Sequence, residues 1–183
     1  MREQWRAGRR HYAVWALPVV APAALERAAL VQQVLAGDIQ VQPLEQAHIT
    51  LWVGGFVDGD GTRNDDLDGE TRAAIQGRIQ AWGQPIPVEI GGVSSFLSCP
   101  FLEARALGSE LHVLRGEIDS IHPKEIRFSE YVPHLTLGVY SANEATGPLI
   151  ERLLPYRDLP PIRLQLQARE ARVDAQTGRL SWL

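Results

Sequence analysis

The sequence predicts a duplicated α+β protein built from two similar lobes about a pseudo-twofold axis. Two observations carry this prediction. The pattern His-apolar-Thr-Leu-x-Val occurs twice, at residues 48–53 and 134–139. Each copy is typical of a strand and lies between two helical patterns, so the order strand, helix, strand, helix is repeated. At 183 residues the chain suits a single domain of two lobes, which we place at residues 1–183.

Proline, glycine and polar residues mark where the helices and strands of the first half begin and end. A first strand is predicted at residues 11–17, which are rich in Val, Trp and Tyr. Pro22 suits the first turn of a helix and Gly37 suits its end. A polar loop at 58–64 precedes a second helix, predicted from about Asp65 to Trp82 because three early aspartates favour the positive end of the helix dipole.

The second half is predicted in the same way. Strands are expected at 87–93 and 101–106, and Ser109 is a suitable N-cap for a third helix. The second motif follows residues 128–133, and a short fourth helix is expected at 149–154. The tail is predicted as a hairpin of residues 162–174 and 180–183, turned near Thr177-Gly178.

Strand geometry gives each motif one polar and one apolar face. Residues two apart share a face, so His48, Thr50 and Trp52 are expected to point together, away from the apolar side chains between them. In the second copy His134 and Thr136 do the same. The apolar faces need a core, whereas the His and Thr faces are suited to solvent or a ligand.

Composition limits the classes of function. A net charge of −4 gives no general attraction to nucleic acid, so a polyanion would need a local basic patch. The single cysteine, Cys99, rules out an internal disulfide. Prolines at 18 and 22 interrupt the apolar run after the N-terminal arginines, which argues against a signal peptide. We expect a cytoplasmic monomer that has no contact with membranes.

The two His-x-Thr motifs, half a chain apart, resemble those of the 2H phosphoesterase superfamily. Within it the chain is most similar to the 2′-5′ RNA ligase / RNA 2′,3′-cyclic phosphodiesterase family. The resemblance implies a bilobal α+β fold in which two antiparallel sheets, carrying the motifs, line a central groove with the helices outside. It also implies hydrolysis of 2′,3′-cyclic phosphates on RNA ends or small nucleotides, and some members of the family join or cleave 2′-5′ bonds reversibly. The implied partner is therefore RNA with a cyclic phosphate end, or a small cyclic nucleotide.

The paired histidines suit acid–base chemistry on a phosphodiester. A neutral imidazole can take a proton from water while a protonated one gives a proton to the leaving alkoxide. We assign His134 as the base and His48 as the acid, although the sequence is equally compatible with the reverse. Thr50 and Thr136 are expected to hold the phosphate through their hydroxyl groups. No cofactor and no metal ion are needed, and a zinc site at the two histidines would lack a clear third ligand.

The sequence departs from the family pattern at one place. Members often carry an arginine just after the second motif, where this chain has Gly138–Tyr140. Arg105, Arg127 or the N-terminal arginines are the candidates to replace it.

Three aromatic residues are candidates to stack on a base, namely Trp52, Tyr131 and Phe56. A competing hypothesis from another class is a nucleotide- or RNA-binding module that keeps the groove without catalysing a reaction. Turnover of a 2′,3′-cyclic nucleotide without added metal separates the two hypotheses.

Overall fold

The computed structural model describes residues 6–123, 131–141 and 146–183. Within these residues four α-helices are α1 Pro22–Val34, α2 Gly69–Trp82, α3 Glu110–Ile121 and α4 Thr146–Leu153. The strands are β1 His11–Pro18, β2 Ile39–Val41, β3 His48–Phe56, β4 Ile86–Ser95, β5 Pro100–Ala106, β6 His134–Thr136, β7 Gly138–Tyr140, β8 Ile162–Leu166, β9 Arg169–Asp174 and β10 Leu180–Trp182. None of the helices in this part of the chain combines the length and apolar character needed to cross a bilayer.

Eight of these strands form one antiparallel sheet in the order β10-β9-β1-β3-β6-β5-β4-β8. It consists of two four-stranded halves that meet where β3 pairs with β6, with Ile49 opposite Leu135. A second, small sheet pairs β2 with β7. The predicted α+β fold class is confirmed, and the two predicted sheets prove to be joined edge to edge along the two motif strands.

The two halves exchange strands. After the helices of the first half the chain enters β4, which pairs with β5 of the second half. After the helices of the second half it enters β8 on β4, and then β9 on β1 of the first half. The prediction of one strand over residues 162–174 is therefore wrong, because β8 and β9 lie at opposite ends of the sheet. The β9–β10 hairpin is confirmed, with Gly178 at φ 72°.

Helix α2 begins four residues later than predicted. The side chain of Asp68 accepts a hydrogen bond from the backbone N–H of Thr71 at 2.7 Å, which caps the helix at that point. Asp65 and Asp66 serve another purpose, since both pair with the buried guanidinium of Arg9. The aspartates therefore predicted the region in which α2 begins, but Asp65 and Asp66 bind Arg9 and do not belong to the helix.

The main core lies between the helices and the apolar faces of the motif strands. Ile49 is 0% exposed and Leu135 is 1% exposed. Because alternate residues of a strand face opposite ways, a slip of one residue would move these two side chains out of the core and the motif histidines into it. Burial of this pair therefore fixes which face of each strand carries the histidine.

A bulge in β4 gives a test of this packing. Ile90 pairs with Ala104 and Val93 with Leu102, so β4 carries one extra residue at Gly91 and Gly92. A Cβ atom on Gly92 would lie 1.8 Å from the carbonyl oxygen of Arg157, whereas one on Gly91 would meet nothing closer than 3.6 Å. We expect Gly92→Ala to cost at least about 2 kcal/mol and to lower the Tm by about 4–8 °C.

Thermal unfolding followed by circular dichroism measures this difference, with Gly91→Ala as the matched control. Equal Tm values for the two variants would contradict the described approach of the 157 carbonyl to β4.

Candidate active site

The register of β3 and β6 brings the two motifs together. Since Ile49 lies opposite Leu135 in an antiparallel pair, His48 lies opposite Thr136, and Thr50 lies opposite His134. All four side chains project from the same face, and each is half-buried. The histidines are diagonal neighbours, so their Cα atoms are about 7–8 Å apart. That separation leaves room for one phosphate group between the imidazoles.

The same hydrogen bond orients both imidazoles. Nδ1 of His48 lies 2.6 Å from the carbonyl oxygen of Gln46, and Nδ1 of His134 lies 2.7 Å from that of Val132. A carbonyl oxygen only accepts, so each Nδ1 carries the hydrogen and donates it. In the neutral ring Nε2 is then the basic nitrogen, and it is presented away from the backbone. The acceptor is two residues before the histidine in both halves.

Burial lowers the pKa of both imidazoles. Desolvation lowers the pKa of His48 below its ordinary value of 6.5, and the nearby His134 lowers it further, while the hydrogen bond to Gln46 partly opposes them. Desolvation also lowers the pKa of His134, against the bond to Val132. Without a ligand both imidazoles therefore favour the neutral form near pH 7. A bound phosphate would raise both pKa values by its negative charge.

The polar groups of the site are available to a ligand. Within the described part of the chain, neither Nε2 of His48 and His134 nor the hydroxyls of Thr50 and Thr136 are hydrogen-bonded to another residue. Two hydroxyl donors and two imidazole nitrogens thus meet on one face. Among the same described residues, no group of three His, Cys, Asp or Glu side chains is placed to hold a metal ion.

Aromatic side chains that sequence reasoning missed border the two histidines. The ring of Trp182 meets that of His48 edge-on, with the centroids 6.2 Å apart. Phe96 and Phe101 lie 5.0 and 5.2 Å from the ring of His134. Phe101 shares the face of Thr136, its partner in the register, but that pairing was not visible in the sequence. Trp182 lies in β10, and no local pattern connects it to the first motif.

The prediction that Trp52 can stack on a base is wrong. Ala16 pairs with Thr50 and the adjacent Trp15 pairs with Trp52, so Leu51 is an extra residue that shifts the alternation of β3. Trp52 consequently points into the main core and is 0% exposed.

The same prediction for Phe56 is also wrong. Phe56 is wholly buried, its ring is covered by the guanidinium of Arg9 at 4.0 Å, and Tyr12 packs against it edge-on at 5.9 Å. A base has no access to it.

Tyr131 contacts the backbone of the first motif strand. Its hydroxyl donates to the backbone carbonyl of Thr50 at 2.8 Å, and the guanidinium of Arg115 covers its ring at 3.6 Å. Arg115 is itself buried and donates to the carbonyl of Leu51 at the bulge. This arginine, on α3, is a positioning residue that the sequence did not single out. Stacking of a base on Tyr131 stays a prediction.

The arginines proposed to replace the missing one are otherwise engaged. Arg9 is buried in its ion pairs, and Arg10 pairs with Asp174 at 2.8 Å. Both lie at the start of β1, more than about 20 Å from the end where Pro18 pairs with His48. Arg105 pairs with Glu89 at 2.7 Å.

Two further arginines raised by the sequence, Arg2 and Arg127, lie outside the described residues.

Comparisons with known proteins identify a family and similar folds. The model of the 2′-5′ RNA ligase superfamily matches residues 20–172. Similar solved structures include E. coli LigT in complex with phosphate, at a TM-score of 0.62 and 15% identity over 96% of this chain and 94% of that one. A protein of Thermus thermophilus has a TM-score of 0.61 and 14% identity over 94% of each chain. No curated protein matches the sequence.

The pKa shifts lead to a spectroscopic prediction. In the free protein the imidazoles of His48 and His134 should titrate below 6.5, because burial disfavours their charged forms. Saturating inorganic phosphate should raise both values. Two-dimensional NMR of the imidazole nitrogens measures the titrations, with the urea-unfolded protein as the reference. Values at or above the reference in the free protein would contradict the described burial.

Proposed function

The chain belongs to the 2′-5′ RNA ligase superfamily, and on that premise we propose that this enzyme of phosphoesterase type hydrolyses 2′,3′-cyclic phosphates on RNA ends or nucleotides. The observation that carries the proposal is the diagonal placement of His48 and His134, each held by a carbonyl at Nδ1 so that Nε2 is left for the substrate. Joining of a 2′-5′ bond is the parallel reaction at the same site, in which a 5′-hydroxyl replaces water, the bond from phosphorus to the 3′ oxygen breaks, and the 3′ oxygen takes the proton.

The reaction needs one base and one acid. The neutral imidazole of His134 takes a proton from water as the oxygen attacks phosphorus. The bond from phosphorus to the ribose 2′ or 3′ oxygen breaks, and protonated His48 gives its proton to that oxygen. The product is a phosphate monoester beside a free hydroxyl. Each proton transfer is worth about 10²–10⁴-fold in rate.

The threonines hold the charge that builds on the phosphate. Thr50 and Thr136 lie on the same face between the imidazoles, so their hydroxyls reach the oxygens that take no part in bond breaking. The substrate also supplies the negative charge that the free site lacks. Its negative charge raises the pKa of both histidines, which stabilises the proton on the acid.

Ligands of the solved relatives support a nucleotide substrate. E. coli LigT has been solved in complex with phosphate and in complex with 3′-AMP. We propose that this chain takes ligands of the same class, a phosphate monoester or diester carried by a nucleoside. RNA as the physiological partner, a monomeric state and a cytoplasmic location stay predictions.

The decisive experiment is turnover of adenosine 2′,3′-cyclic phosphate in the presence of EDTA. We expect the wild-type protein to hydrolyse it, and His48→Ala and His134→Ala each to lose at least about 100-fold in rate. His112→Ala is the matched control, because His112 is exposed on α3, away from the motifs. Chromatography of the products measures the rates and identifies the 2′ or 3′ monophosphate.

Binding of the cyclic nucleotide with no turnover by the wild-type protein would favour the non-catalytic binding module. Near-normal turnover by either motif variant would refute the paired acid–base role.

The pH dependence of kcat/KM follows from the same pKa shifts. The acid must hold its proton in the free enzyme, and burial lowers the pKa of His48 below 6.5. Activity should therefore fall as the pH rises through that lowered value. Initial rates at low substrate between pH 4.5 and 9, a range of roughly two units or more on either side of the ordinary histidine value, measure the profile. An optimum on the alkaline side of 7.5, about one unit above that ordinary value, would contradict the assignment.

A further inference from the structure

The last two strands bring a tryptophan and an arginine to the His48 side of the site. β10 is anchored there by Gln46, whose side-chain oxygen accepts the backbone N–H of Leu180 at 2.9 Å while its carbonyl holds the ring of His48. Trp182, at the end of β10, packs on the small apolar cluster of the first half and meets His48 edge-on. β10 is thus tied to the first motif.

Trp182 reaches His48 because small side chains lie between them. β10 is three strands from β3, about 14 Å away. The intervening positions on this face include Ala171 and Ala16, which are wholly buried. The indole lies across them with one side on the sheet, and it remains half-buried rather than enclosed. An aromatic surface therefore borders the imidazole that we assign as the acid.

Arg169 contacts the same indole. Its position in the register is opposite Ala16, which is opposite Thr50, so all three share one face of the sheet. Its guanidinium is 5.8 Å from the centre of the Trp182 ring, within the range of a cation–π contact. The side chain is exposed, and its hydrogen bond to the main-chain oxygen of Leu183 is long, at 3.5 Å.

No side-chain carboxylate among the described residues is paired with Arg169. The exposed arginine on the His134 side differs in this respect, since Arg105 is paired with Glu89. In a chain of net charge −4, an exposed guanidinium without an Asp or Glu partner beside a phosphate site is suited to a second anionic group of the ligand.

We propose that Trp182 and Arg169 form a subsite for the nucleoside and its 5′-phosphate. The base or ribose of the terminal nucleotide lies on the indole, its 2′,3′-cyclic phosphate reaches the two histidines, and its 5′-phosphate binds the guanidinium. The inference rests on the proposed function and deepens it: the preferred substrate is a 5′-phosphorylated nucleotide or an oligoribonucleotide end, and a nucleoside cyclic phosphate without a 5′-phosphate binds more weakly. The geometry also places the leaving oxygen of that nucleoside beside His48, in agreement with its role as the acid.

The distance between Arg169 and the motif residues favours binding of a second phosphate by the guanidinium over binding of the reacting phosphate. Arg169 is two strands from Thr50, about 9–10 Å between Cα atoms, and its guanidinium contacts the indole whose ring meets His48 edge-on. The reacting phosphate lies on the opposite side of His48, between the two imidazoles. One nucleoside therefore fits between the two anionic positions.

Product analogues test the subsite without depending on turnover. Calorimetric titration compares adenosine 3′-phosphate with adenosine 3′,5′-bisphosphate. We expect the wild-type protein to bind the bisphosphate at least about tenfold more tightly, as a charge-assisted bidentate contact would give. Arg169→Gln should reduce this ratio to less than about threefold, whereas the matched control Arg105→Gln should keep it.

The role of the indole has its own readout. Trp182→Leu should weaken both adenosine ligands about tenfold through loss of stacking, while the affinity for inorganic phosphate is retained. Equal weakening for inorganic phosphate would show a merely structural role and overturn this part of the proposal.

The test of Arg169 distinguishes failure of the subsite from failure of the proposed function. A ratio that survives Arg169→Gln, a ratio lost to the same extent in Arg105→Gln, or a wild-type protein with no preference would each overturn the inference. Failure of the proposed function would appear instead as absence of cyclic nucleotide turnover, which leaves this binding ratio unaffected.

Discussion

The pairing of β3 with β6 is the constraint on which the site depends. Each of these strands carries a complete His-x-Thr motif, but neither motif holds more than half of the acid–base pair. Antiparallel pairing at Ile49 and Leu135 sets each histidine opposite the threonine of the other half. Both apolar partners are buried, so the register that forms the core is also the register that assembles the site. A fold built from two similar halves produces this arrangement directly, because each half contributes the same edge strand.

Local backbone geometry then sets the orientation and the tautomer of each imidazole. The carbonyls of Gln46 and Val132 fix Nδ1 as the donor and leave Nε2 for the substrate. Burial keeps both rings near neutrality until an anion arrives. The substrate therefore completes the electrostatics of the site. The net charge of −4 gives no general attraction to phosphate, so affinity for an anion depends on the local groups of this site.

The surroundings of the two histidines differ although the motifs match. Trp182 and an exposed arginine lie beside His48, whereas Phe96 and Phe101 pack against His134. The strand exchange causes this asymmetry, since β9 and β10 follow the second half in the chain and yet complete the first half of the sheet. The histidines of two matching motifs thereby acquire different neighbours. That difference allows a substrate with two unlike ends to bind in one direction.

The sequence by itself determined the two motifs, their polar faces, the two-halved α+β plan and the approximate position of most helices and strands. These features depend on periodicity and on residues such as Pro22 and Gly178, which act within a few positions of themselves. Only the tertiary structure decided that residues 162–174 divide between opposite ends of the sheet, because both strands have similar patterns and no Gly or Pro separates them. It also decided that Trp52 is buried and Trp182 borders the site. The bulge where β3 pairs with β1 buries Trp52, and the pairing of β9 with β1 brings the β9–β10 hairpin and Trp182 to the first half of the sheet. Both pairings join strands that are distant in the chain.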